Sequence, residues 1–221
     1  MLGRTLGTIA LATLVAWPLG AQRRPGGGGG GRGGFGGTGG PSWWASASGG
    51  YQWSNIVNDP QTKSVWNFDA NWTVRGTLER VVAPQTTIGV AWTYARMPVG
   101  VQGVSGGVCQ PCLGDATIST YGLALRSGGG PALHLLYEGF IGATQYGHFS
   151  LEGAGATSFS TVKNTDFTWA FGGGFGYSMA RDFALEVMYD YANSVHEKSG
   201  DLFQRRTTRH YSLRTGVRVG L

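Results

Sequence analysis

Between Val65 and Leu78 the chain reads Val-Trp-Asn-Phe-Asp-Ala-Asn-Trp-Thr-Val-Arg-Gly-Thr-Leu. Trp66, Phe68, Ala70, Trp72, Val74 and Leu78 share one parity, and Asn67, Asp69, Asn71, Thr73, Arg75 and Thr77 share the other. Side chains of a strand alternate between faces, so this is extended chain with one apolar, aromatic face and one polar, charged face. Strands of soluble sheets are usually about 5 to 6 residues long. The segment is longer than that, and suits the roughly 9 to 11 residues with which a tilted strand crosses a bilayer. The expectation is a strand with lipid on one side and a polar interior on the other.

The same alternation recurs in seven further segments. They are Ser42 to Trp53, Thr86 to Met97, Thr117 to Arg126, Ala132 to Thr144, Asp166 to Ser178, Asp182 to Asn193 and Thr207 to Leu221. The connections alternate strictly in length. Ala83 to Gln85, Ser127 to Pro131 and Met179 to Arg181 are short, whereas Ser54 to Ser64, Pro98 to Ala116, Tyr146 to Thr165 and Ser194 to Arg206 are long. Short turns at one rim, long loops at the other and an even strand number are the plan of an eight-stranded antiparallel up-and-down transmembrane β-barrel in the outer membrane, with both termini periplasmic. Composition agrees: only 13% of residues are charged, 12% are aromatic and forty are glycine. Beyond the N-terminus there is no apolar run of the about 18 residues that a membrane helix needs. The net charge of +5 comes partly from Arg4, Arg23, Arg24 and Arg32, outside the candidate barrel, and is not read as a nucleic-acid footprint.

Residues 1–21 have the plan of a signal peptide: Arg4, an apolar run from Leu6 to Trp17, and small residues at Leu19-Gly20-Ala21. Residues 22–41 are nearly all glycine, cannot bury a core and are expected to form a disordered linker. Residues 42–221 form the expected barrel. Cys109 and Cys112, the two cysteines, lie in a Gly- and Pro-rich connection, where an exported chain would join them as a local disulfide. A redox pair lacks its strand-to-helix context there, and a zinc site lacks a second pair of ligands.

Aromatic residues at the strand ends predict the two girdles of a membrane barrel. Trp43 and Tyr177 fall at the short-turn rim, and Trp53, Trp66, Phe68, Trp92 and Trp169 at the other. The opposite parity carries Asp69, Glu79, Glu138, Glu186 and Asp190 together with Arg75, Arg126, Arg214, Arg218 and His210. Eight strands leave a lumen mostly filled by side chains, so charges inside it must pair. A lumen ion-pair network of Asp69, Arg75, Glu138, Glu186, Asp190, Arg214 and Arg218 is expected. Glu186 and Asp190 would meet Arg214 and Arg218 across the last hairpin.

The run Phe171-Gly-Gly-Gly-Phe-Gly-Tyr177, the turn Ser178 to Asp182, the strand Phe183-Ala-Leu-Glu-Val-Met-Tyr-Asp-Tyr191 and the ending Gly216-Val-Arg-Val-Gly-Leu221 resemble the small eight-stranded outer-membrane barrels. That group includes the transmembrane domain of OmpA and the OmpX-type proteins. The family's assembly signal usually ends in an aromatic residue, whereas this chain ends in Leu221. The resemblance implies insertion by the barrel-assembly machinery, a monomer surrounded by outer-membrane lipid and lipopolysaccharide, and no cofactor, metal or nucleic acid. It implies a structural, envelope-integrity role with surface loops for adhesion or recognition; the alternatives are a narrow pore and a lipid A-modifying enzyme. For the enzyme, His148-Phe149-Ser150 with Glu152 has the spacing of a lipid A deacylase constellation but falls in a long connection. The strand that should carry the pair reads Asn193 and Val195 in place of His and Ser.

Overall fold

The computed structural model describes residues 40–59, 64–102, 112–152, 165–196 and 206–221. The expected signal peptide, most of the linker, and Cys109 with the disulfide expected between it and Cys112 lie outside them. Among the described residues ten strands are present: β1 (Trp43–Ser54), β2 (Val57–Asp59), β3 (Ser64–Phe68), β4 (Asn71–Ala83), β5 (Thr86–Gln102), β6 (Cys112–Ser127), β7 (Ala132–Glu152), β8 (Thr165–Ala180), β9 (Phe183–His196) and β10 (Arg206–Gly220). The β3 and β4 segments are two halves of one stave interrupted at Asp69–Ala70, and β2 is a short return that pairs only with β3. Eight staves therefore pair antiparallel around a closed ring, with β1 hydrogen-bonded to both β4 and β10, and β5 to both β4 and β6. Within the ring closure leaves no edge of unpaired backbone groups, the condition for a sheet to cross lipid.

The outward face is the apolar parity. Trp72, Leu133 and Phe171 are more than 60% exposed to the surroundings, and Val90, Leu123, Ile141, Phe175 and Leu213 lie on the same surface. A soluble barrel would hide these groups from water. Here they form the hydrocarbon-facing wall. Trp53, Tyr211, Tyr191, Trp169 and Phe171 make a continuous aromatic belt with ring centroids 5.4–6.1 Å apart, and Trp92 lies beside Tyr94 at 6.0 Å. At the short-turn rim Trp43 carries the Arg80 guanidinium over its ring, and Tyr177 faces outward.

At the short-turn rim the chain reverses through Pro84–Gln85, Gly128–Pro131 and Arg181–Asp182. Gly128 has φ of 117°, a conformation open to a residue without Cβ, and its N–H donates to the Gln85 carbonyl, tying two neighbouring turns. Leu221 N–H donates to the Trp43 carbonyl, which closes the barrel at its seam.

Two sequence expectations are corrected at the other rim. Pro98 to Ala116 was expected to be a loop, yet β5 continues to Gln102 and β6 starts at Cys112, while β7 runs on through residues 148–152. The extra length is stabilised by apolar residues that face inward. Ala95, Met97, Val99, Val101, Ala116, Ile118 and Tyr146 form a buried cluster. Pro98 is tolerated within β5 because it sits beside a break in the neighbouring ladder, where its carbonyl accepts from Asp69 N–H.

The second correction concerns the stretch from Val65 to Leu78. Its alternation does not run through. Phe68 is buried in the interior cluster with Trp66 packed against it, and Asn67 and Asp69 are exposed. The cause is one extra residue. Phe68 pairs with Val99 and Thr73 with Ala95, so five steps on β3–β4 oppose four on β5. Such a bulge flips every side chain beyond it to the other face. Trp66 and Phe68 therefore leave the outer girdle, and Phe68 fills the interior cluster.

Gly122 and Gly142 face each other across β6 and β7 so closely that a Cβ on Gly122 would collide with the Ile141 and Gly142 backbone. Gly122→Val is expected to prevent barrel closure. Wild-type protein refolded in detergent should migrate differently before and after boiling on a denaturing gel, and the variant should show one unfolded band.

Candidate functional site

The lumen is built from the parity that faces inward, and its lower half is ionic. Arg126, 1% exposed, lies at the centre. Its Nη1 donates to both Glu186 carboxylate oxygens at 2.8 and 2.9 Å and its Nη2 to Glu138 Oε2 at 2.8 Å, with Glu79 Oε1 3.6 Å away. Towards the short-turn rim Arg218 donates to Glu79 at 2.6 Å, and Glu79 also accepts from the Thr77 and Thr87 hydroxyls. Arg218 stacks over the inward-facing Trp44 ring at 4.7 Å.

Towards the long-loop rim Glu138 accepts from Arg75 at 2.5 Å and from Arg214 at 3.3 Å. Arg214 is fixed by Asp190 at 2.6 Å, and Arg75 lies over the Phe140 ring. The network thus spans β4, β6, β7, β9 and β10, and its four arginines face four carboxylates. Burial of a lone charge is costly in proportion to its lost hydration, and the cost falls only when partners and hydrogen bonds replace water. Equal numbers of each sign, held at short distances, meet that condition here.

Small residues make room for these long side chains. On β8, Gly172, Gly174 and Gly176 point inward; a Cβ at Gly172 would overlap Asp190 Oδ1, and one at Gly176 would overlap the His134 ring. At the upper end of the network lies a cavity of about 50 Å³ lined by polar groups of Ser48, Thr73, Arg75, Asp190 and His210 and by apolar groups including Phe140 and Ala170. A water needs roughly 10–15 Å³ by this measure, so the chamber suits a few waters. A hydroxyl ladder, Thr120–Thr144–Thr168–Ser194 at 2.7–2.9 Å per step, runs across its upper wall. Ser54 and Gln52 both reach His210 Nδ1, at 2.6 and 3.5 Å, and Gln52 also touches Met97 of the apolar cluster that covers the chamber.

Of the residues expected in the network, Arg75, Glu138, Glu186, Asp190, Arg214 and Arg218 meet there and Asp69 does not. Beyond the bulge Asp69 is exposed and accepts from Asn67 Nδ2. Asp190 meets Arg214 across the hairpin, whereas Glu186 lies 3.9 Å from Arg218 and bonds mainly to Arg126. Glu79 and Arg126 stood on the inward parity; Arg126 faces Glu138 directly across the β6–β7 hairpin, whereas its bonds to Glu186 and the bond of Glu79 to Arg218 join staves that are not neighbours, which no spacing in the sequence pairs. Backbone residues 148–152 extend β7, which corrects their placement in a loop. Asn193 and Val195 sit on β9. Among the described residues no group of three or more His, Cys, Asp or Glu side chains is arranged to hold a metal.

A closed eight-stranded antiparallel barrel with an apolar exterior and a paired ionic lumen is a transmembrane β-barrel, and its fold is that of the small outer-membrane barrels. Solved structures with this fold include Neisserial surface protein A, at 14% identity and a TM-score of 0.55 over 83% of this chain and 99% of that one. The outer-membrane protein OprG from Pseudomonas aeruginosa matches at 14% identity and a TM-score of 0.56 over 83% and 98%. No protein-family model and no curated protein matches the sequence.

Glu138 is the acceptor for three arginines, so Glu138→Ala leaves buried cations without a counter-charge. The expected loss is about 3–5 kcal/mol, read as a lower urea midpoint for unfolding in lipid vesicles. Adding Arg126→Ala should cost less than the sum of the two single variants, because the pair shares one network.

Proposed function

We propose that this protein is an outer-membrane barrel of the structural, envelope-integrity type, a monomer whose lumen is sealed and whose long-loop rim faces outward for adhesion or recognition. The short-turn rim and both termini then face the periplasm, as insertion by the barrel-assembly machinery from that side requires. The observation that carries the reading is the neutral network of Arg75, Arg126, Arg214 and Arg218 with Glu79, Glu138, Glu186 and Asp190, which bridges the lumen wall to wall. A water-filled pore running the length of a barrel of this size would need that cross-section free. The wall suits lipid, and the aromatic belt together with Arg80 over Trp43 suits the two membrane interfaces, where rings and cations meet headgroups, including those of lipopolysaccharide.

A narrow pore is the second reading, and the chamber at the upper end of the network is the observation that favours it. Planar-bilayer recording separates the two. Purified wild-type protein should give no stable current steps, and Arg126→Ala with Glu138→Ala should give small ones as the obstruction is thinned. Stable ohmic steps from the wild type would overturn the sealed-lumen reading. Lipid A hydrolysis draws no support from the described side chains. A mass unchanged by overproduction of the protein is expected for lipid A.

A further inference from the structure

The stave formed by β3 and β4 carries an uninterrupted period-two sequence on an interrupted backbone. From Trp66 through Phe68, Ala70, Trp72 and Val74 the apolar residues share one parity, but the extra residue between Phe68 and Thr73 sends the first two inward and the rest outward. We propose that β3 is a two-register strand. In the second register it slides by one residue on β5, the bulge vanishes, and the mouth of the lumen chamber opens.

Both registers can be specified residue by residue. In the structure Trp66, Asn67 and Phe68 pair with Val101, Gly100 and Val99. Continuing the register of β4, where Thr73 pairs with Ala95 and Val74 with Tyr94, would pair them with Gln102, Val101 and Gly100 instead. Phe68 and Trp66 would then face outward above Trp92 and Tyr94, continuing the aromatic belt into the interface where rings are stabilised. Asn67 and Asp69 would face inward towards the chamber.

Each register satisfies one demand and forgoes another, as a bistable element must. The observed one buries Phe68 and completes the apolar cap over Met97, Val99 and Val101, at the expense of the ladder around Asp69–Ala70. The alternative restores the ladder and the belt but sets Asn67 against Val101. The bulge is held by Asp69 N–H to the Pro98 carbonyl, Asn71 Nδ2 to the Arg96 carbonyl, the Tyr51 hydroxyl to the Ala70 carbonyl and Asn67 Nδ2 to Asp69 Oδ1. The bond from Asn67 is made by a residue of β3 and stays within the stave, so a slide of β3 on β5 need not break it. The chamber that would open ends on the ion network, so the lumen stays closed below in both registers. The inference therefore stands or falls separately from the sealed-lumen reading.

Disulfide trapping tests it in protein with Cys109→Ser and Cys112→Ser, reconstituted in lipid vesicles. Asn67 and Val101 lie on opposite faces in the structure, and cysteines there cannot join. They face each other only in the second register. Asn67→Cys with Gly100→Cys bridges the first register; a Cβ at Gly100 meets only the Leu113 side chain, at 3.7 Å. Under mild oxidant both pairs should form within heat-modifiable, folded barrels. If Asn67→Cys with Val101→Cys stays reduced while the other pair oxidises, the strand has one register and the proposal fails. Ser48→Cys reports on access, because Ser48 lines the chamber. A small thiol reagent should label it in the reduced protein and not in the protein locked through Asn67→Cys and Gly100→Cys. Equal labelling in both would overturn the link between register and opening.

Discussion

The structure depends on closing a ring of strands around charges that have no other place to go. Lipid outside disfavours them on one face, so the ionised groups at mid-barrel are driven inward, and the lumen of an eight-stave barrel is too narrow to hydrate them individually. The arrangement around Arg126 follows. Glu79, Glu138 and Glu186 approach it from three staves, and Glu138 in turn collects Arg75 and Arg214. Removal of any member leaves its neighbours charged and dry. At that level the lumen is filled by guanidinium and carboxylate groups more than by hydrocarbon.

Above that level the interior changes character. Hydroxyls of Thr120, Thr144, Thr168 and Ser194 hand over to Met97, Val99, Val101 and Ile118, and the wall that carries the apolar residues is taller than the rest. An ionic plug, a small chamber and an apolar cap are thus stacked along one axis. The cap needs Phe68 and Trp66 inside, and a single added residue in the β3–β4 stave is what supplies them.

Much of this was legible in the sequence because lipid enforces a simple code. Each exposed residue from Ile88 to Trp92 on β5, or from Phe171 to Tyr177 on β8, declares its face by parity, and the parity of Glu138 and Arg214 follows from their neighbours. Hairpin partners such as Asp190 and Arg214 were accessible too, since adjacent staves joined by a connection must pair. Pairings across the lumen were not. Glu79 meets Arg218, and Arg75 meets Glu138, through a closed space that no local pattern describes.

By itself the sequence determined the number of staves, their antiparallel order, which rim has the short turns and which face meets lipid, because those follow from a period of two and from connection length. Tertiary structure alone decided where that period breaks. Whether Phe68 faces lipid or lumen depends on the register of β3 against β5, and that register is set by the burial of Phe68 against Val99, Val101 and Met97, contacts that exist only once the ring has closed.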